Sequence, residues 1–130
     1  MSLPVARAQP PTPTRQLTLV DFAFTFDTPL TAGPHVIHVR NTGTEAHEAD
    51  IIKASPTAGP REYLAWIDSG SKGLPPVAPV AAFGDIYPGK EAWVAVHLTP
   101  GRYFVLCQVP AKADGRPHFK HGMFTELTVE

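Results

Sequence analysis

Apolar and polar residues alternate along much of this chain. From Thr18 onward, Val20, Phe22, Phe24 and Phe26 occupy every second position, the period that sets four apolar side chains on one face of a strand. Asp27-Thr28-Pro29 breaks the run, and Gly33-Pro34 marks a turn into a second strand, His35 to Asn41, whose Ile37 and Val39 share a face. Asn41-Thr42-Gly43 is a further turn, and Ala46 to Lys53 reads as another strand with Ile51 and Ile52 near its end. The stretch from Pro56 to Pro88 is rich in Pro and Gly and reads as irregular. Within it the pattern predicts a short helix over Pro60 to Ile67, because Pro suits a first turn and Tyr63, Leu64 and Ile67 share a face. Alternation returns over Lys90 to Leu98, with Ala92, Val94 and Val96 set against Glu91, Trp93 and Ala95. Thr99-Pro100-Gly101 makes a tight turn, followed by a strand from Tyr103 to Cys107, a long polar loop from Gln108 to Gly122 and a last strand from Phe124 to Val129. Many short strands with hardly any helix specify an all-β sandwich or barrel.

Residues 1–14 carry Pro4, Pro10, Pro11 and Pro13 among small and polar residues and are expected to form a flexible Pro-rich arm, leaving 15–130 as one folded domain. Hydrophobic residues at 43% against 18% charged ones suit a globular chain. A formal net charge of −1 offers no concentrated basic face, which argues against nucleic acid as a partner. The apolar stretches are too short to insert into a membrane. Met1 to Arg7 lacks the apolar core of a secretory signal, and Met1-Ser2-Leu3 reads like a cloning start, so a natural leader is expected to have been removed.

Candidate chemistry centres on the single cysteine, Cys107. Alone it forms no internal disulfide, which leaves two roles, a small buried hydrophobe or a ligand. Two imidazoles, a thiolate and a weak thioether make a donor set that suits copper in both oxidation states. His47 lies after the Asn41 turn, and the loop after Cys107 carries His118 and Met123. His121 rivals His118, but its place beside Gly122 and two residues before Met123 would crowd an axial ligand. Met123 also reads as ordinary core filling. His35, His38 and His97 read as surface or structural residues. Glu45, Glu48 and Asp50 read as an exposed polar edge, with Glu48 within reach of a ligand imidazole or the ligand loop. The chain lacks a Gly-rich phosphate loop, paired cysteines and an HExxH helix. A catalytic pair of Cys107 and His118 would lack a helix N-terminus to activate the thiol. The chain is therefore not expected to be an enzyme.

Three segments carry a resemblance to a known family: Asn41-Thr42-Gly43-Thr44-Glu45-Ala46-His47-Glu48, Pro100-Gly101-Arg102-Tyr103-Phe104-Val105-Leu106-Cys107, and Pro117-His118-Phe119-Lys120-His121-Gly122-Met123. In their order, and in the strands around them from Thr18 to Val129, the chain resembles the cupredoxins, the family of plastocyanin and azurin. The resemblance implies a Greek-key β-sandwich holding one type 1 (blue) copper ion on His47, Cys107, His118 and Met123. It also implies a monomeric one-electron carrier that serves a redox partner protein and is exported to the periplasm or secreted, with His118 near the surface as the electron path. Other functions on the same fold are copper delivery or a metal-free interaction domain. Two features depart from the plastocyanin-like pattern. Ten residues separate Cys107 from His118 where small carriers place only a few, and Glu48 stands where an Asn often braces the ligand loop. The polar insert Lys112 to Arg116 is expected to turn back on itself and leave both ends of the loop free to meet at the metal.

Overall fold

The computed structural model describes residues 9–130. The first eight residues of the expected Pro-rich arm lie outside the described part. At its far end Thr14 is already tied down, its N–H donating to Val36 O at 2.9 Å.

Eight strands form two four-stranded sheets. The first sheet holds β1 (Arg15–Val20), β2 (Ala23–Phe26), β3 (Gly33–Asn41) and β6 (Glu91–Leu98) in the order β2-β1-β3-β6. The second holds β4 (His47–Lys53), β5 (Pro79–Ile86), β7 (Gly101–Leu106) and β8 (Phe124–Val129) in the order β5-β4-β7-β8. β1 and β3 run parallel, and every other pairing is antiparallel. Leu17, Leu19, Ile37 and Val39 of the first sheet pack against Ile51 and Val105 of the second, and Cys107 and Met123 belong to the same buried cluster. The expected β-sandwich is the architecture observed.

The first alternating run is not a single strand. It folds back at Asp21-Phe22 into a hairpin that pairs Leu17 with Phe26 and Leu19 with Phe24. A two-residue turn exchanges odd for even positions on a given face. The inward residues are therefore Leu17 and Leu19 in β1, with Phe24 and Phe26 packed against the core from β2. This leaves Asp21 and Phe22 at a hairpin tip, which proves important for the site.

The second correction is β5, which lies within the stretch read as irregular. Pro79 and Gly84 obscure its pattern, and both are tolerable because β5 is an edge strand, where a missing N–H breaks no inner ladder. The expected helix is present as α1 (Pro60–Asp68). Its Tyr63 joins Ile52, Phe104 and Leu106 in a second buried cluster on the outer side of the second sheet. The centre of the second sheet is thus covered on both faces, which explains why Tyr103-Phe104-Val105-Leu106-Cys107 is a continuous apolar run rather than an alternating one. Ile52→Val, which removes one methylene beneath α1, should cost about 0.5–1.5 kcal/mol in urea unfolding with an unchanged m-value if the helix layer unfolds with the sandwich.

Candidate metal centre

β4 opens with His47, and β7 delivers Cys107 one residue beyond its end. The loop after Cys107 must then return His118 across ten intervening residues, and it does so through a narrow neck. His118 N–H donates to Val109 O at 2.8 Å, Pro110 and Pro117 form an isolated bridge, and Ala111 N–H donates to Arg116 O at 2.8 Å. Residues 112–115 therefore stand outside the neck, and the extra length does not separate the ends. A 3₁₀ turn, His118–His121, follows and closes on Gly122 at φ 96°, a left-handed conformation suited to glycine. Met123 then enters the core, its N–H donating to His118 O at 3.1 Å while its own carbonyl accepts from Cys107 N–H at 3.3 Å.

His47, Cys107 and His118 converge on one point. His47 Nδ1 lies 3.1 Å from His118 Nδ1, and Cys107 Sγ lies 3.4 Å from the same atom. His47, Cys107, His118 and Met123 are all at 0% exposure. Donors held at about 2.0–2.3 Å from one first-row ion would stand roughly 3.1–3.5 Å apart, so the spacing fits a single metal ion. Of the two rival histidines, His118 meets Cys107, whereas His121 is partly exposed and pairs with Asp114 at 2.9 Å. His118 does not reach the surface as expected. Phe22 packs its ring 4.8 Å from the His118 ring, and Glu45 closes off the far nitrogen.

The outer nitrogens of both imidazoles face carboxylates. His47 Nε2 lies 2.6 Å from Asp21 Oδ1, and His118 Nε2 lies 3.0 Å from Glu45 Oε1. Burial works against the Asp21 anion, but hydrogen bonds from Thr44, His47 and the Glu45 N–H hold its carboxyl well below the usual range. Glu45 is likewise held low, by Lys112 N–H and then by His118. Burial lowers His47 despite the Asp21 contact. An ionised carboxylate can only accept, so each Nε2 must carry the hydrogen. Both Nδ1 lone pairs are then turned toward each other and toward sulfur. The single Cys107 S–H can satisfy one of these two lone pairs, whereas a cation can engage both nitrogens and the sulfur.

Asp21 escaped the sequence reading, and Glu45 was read as part of an exposed edge. Asp21 reaches the site only through the hairpin, and nothing local marks it. Glu45, two residues before His47, offered proximity as its one signal. Glu48 acts where expected, on the ligand loop. Its N–H donates to Cys107 Sγ at 3.3 Å, and its Oε1 accepts from Gln108 N–H at 2.9 Å. Asn41, fully buried, braces the preceding turn by donating to Glu45 O and Ile86 O and accepting from Gly43 N–H. The other histidines have structural partners or solvent. His35 hydrogen-bonds Thr14 and Thr31, His38 bridges Gln16 and Glu91 while stacking on Trp93, and His97 is exposed.

Burial pushes the Cys107 thiol up to about 11, with the Glu48 and Val109 N–H groups opposing. A metal cation held there would reverse that preference by binding the thiolate, and loading the site would then release a proton. Burial, followed by repulsion from Asp50, raises Glu48 from its ordinary 4.5 to about 7. The folded state of the metal-free protein thus holds the Glu48 proton more tightly than the unfolded chain does. That stabilisation is complete below pH 4.5 and is lost as pH rises to about 7. Allowing for partial solvation, Glu48→Gln should stabilise the metal-free protein at pH 8 by on the order of 1–2 kcal/mol and leave it unchanged at pH 4. Urea unfolding at the two pH values checks this, and equal effects at both would refute it.

No protein-family model matches the chain, and no curated protein matches it. Solved structures do. The dithionite-reduced auracyanin of the photosynthetic bacterium Roseiflexus castenholzii superposes with a TM-score of 0.61 at 22% identity, over 88% of this chain and 94% of its own. Auracyanin B gives 0.59 at 17% identity, over 94% and 93%. Rusticyanin from Thiobacillus ferrooxidans gives 0.55 at 18% identity, over 88% and 76%. All three are cupredoxins. Taken with the two-sheet sandwich and the buried His47–Cys107–His118 cluster, the match shows that this chain has the cupredoxin fold.

Proposed function

We propose that the chain binds one copper ion on His47, Cys107 and His118, with Met123 as the weak axial donor, and works as a one-electron carrier rather than an enzyme. The observation that carries this reading is the convergence of two Nδ1 atoms and a sulfur within 4.8 Å of one another, all buried, with both imidazoles turned by carboxylates so that their lone pairs face inward. A thiolate with two imidazoles is the donor set that suits copper in both oxidation states, and copper supplies the exchangeable electron. The protein's contribution is a rigid, dry frame. The donors come from a strand start, a strand end and a hydrogen-bonded loop neck, so they have little room to rearrange when the charge changes.

Exchange with a partner protein would occur across a layer one side chain thick. Phe22 covers the His118 ring and lies 5.5 Å from the ring of partly exposed His121. A Cys107 thiolate nucleophile is disfavoured by complete burial and a thiol raised to about 11. Copper delivery is the second reading, but the closed burial of the donors favours retention over hand-off. Export to the periplasm or the cell exterior goes with the copper reading, since a buried or metallated lone cysteine withstands an oxidising compartment. Among the described residues no helix is long and apolar enough to cross a membrane.

Adding one equivalent of Cu(II) to reduced, metal-free protein tests the proposal. An intense thiolate-to-copper band with narrow copper hyperfine splitting is expected, together with reversible reduction without metal loss. Release of copper on reduction would favour delivery, and a colourless protein that takes up no stoichiometric copper would overturn both readings.

A further inference from the structure

We propose that Asp21 and Glu45 are positioning residues that select the metal-binding tautomer of both imidazoles and bias the site toward the more highly charged metal state. The tautomer half stands on this chain's geometry alone, whereas the bias rests on the copper reading above.

Each carboxylate is itself fixed. Asp21 accepts from Thr44 N–H at 3.0 Å and from the Thr44 hydroxyl. Glu45 Oε1 accepts from Lys112 N–H at 2.8 Å as well as from His118. The residue that anchors Glu45 thus belongs to the insert that lengthens the Cys107–His118 loop, which gives that insert a task at the site. The approach of Asp21 to His47 also depends on Gly43, where a Cβ would overlap Asp21 Oδ1 and come within 2.9 Å of His47 Nε2. Both rings are wholly buried, while Asp21 and Glu45 retain 22% and 13% exposure. At the outer edge of the site, carboxylates therefore occupy the hydrogen-bonding positions that water would otherwise fill.

A carboxylate accepting the outer N–H of a ligand imidazole fixes its orientation and raises its basicity. Two such groups place negative charge at the far ends of both rings. The resulting field favours the dipositive over the monopositive ion and lowers the reduction potential. A purely structural pair would satisfy the buried N–H and contribute to folding without moving the potential.

Two measurements separate these possibilities. In the metal-free wild type at pH 8, nitrogen-15 spectra of the imidazoles should show Nε2 protonated in both His47 and His118. A neutral Nδ1–H tautomer at either ring overturns the tautomer assignment, whether or not the protein ever binds copper. In the copper-loaded protein, Asp21→Asn and Glu45→Gln keep an acceptor oxygen and remove the charge. Each should weaken Cu(II) binding relative to Cu(I) by about tenfold, a positive shift of about 59 mV, read by redox titration. Unchanged potentials in both variants, with the thiolate band intact, overturn the bias. A wild type without that band refutes the copper reading and with it the bias, and the nitrogen-15 result still decides the tautomer assignment.

Discussion

Cys107→Ser should lose the thiolate-to-copper visible band completely, and its copper affinity should fall by more than the roughly 10–100-fold typical of changes in groups that only support a ligand. Cys107 is the one donor of the three that becomes an anion on binding. Its sulfur sits 3.4 Å from His118 Nδ1 and accepts the Glu48 N–H at 3.3 Å. A serine hydroxyl on the same backbone is shorter and harder, and it keeps its proton in a buried site. The Glu48 N–H can still donate to the serine oxygen, so the fold should survive with a loss of about 1–2 kcal/mol. Absorption spectra and a competitive copper titration on the folded variant check both halves. A band that persists in Cys107→Ser would sink the assignment.

Gly43→Ala should damage the site from a position that touches no metal. Its new methyl would overlap Asp21 Oδ1 and crowd His47 Nε2. Asp21 cannot simply swing away, because Thr44 holds it through both its N–H and its hydroxyl. His47 is fully buried and has little space in which to retreat. The hairpin tip and the Asn41–His47 turn must therefore move apart. The expected cost is about 1–3 kcal/mol of stability, as for other overpacked interiors, together with a roughly 10–100-fold loss of copper affinity. Parallel measurements on Gly59→Ala, where a Cβ would meet only Ala54 Cβ at 4.0 Å, provide the control. Equal behaviour of the two variants would show that the close packing at Gly43 is unimportant.

Much of the frame was legible because burial leaves a periodic trace. Ile37 and Val39 repeat at the strand period and are buried together. Pro60 at a helix start and Tyr63, Leu64 and Ile67 on one face mark α1. The hairpin at Asp21-Phe22 was not legible, since the apolar alternation runs through the turn without a Gly or Pro to interrupt it. β5 was hidden for the opposite reason, because an edge strand tolerates the Pro and Gly that normally argue against a strand.

The sequence alone determined which side chains can act as donors and the order in which they occur. Residue chemistry and the resemblance to the cupredoxins put forward His47, Cys107, His118 and Met123 as candidate donors, with His121 as the rival of His118. Tertiary structure alone decided that His118 rather than His121 meets Cys107, that His118 is buried behind Phe22, and that Asp21 and Glu45 cap the two imidazoles. Those contacts join residues at least 11 positions apart along the chain. They arise from a hairpin reversal, a loop neck and the packing of two sheets, and none of these leaves a periodic trace at the residues that meet.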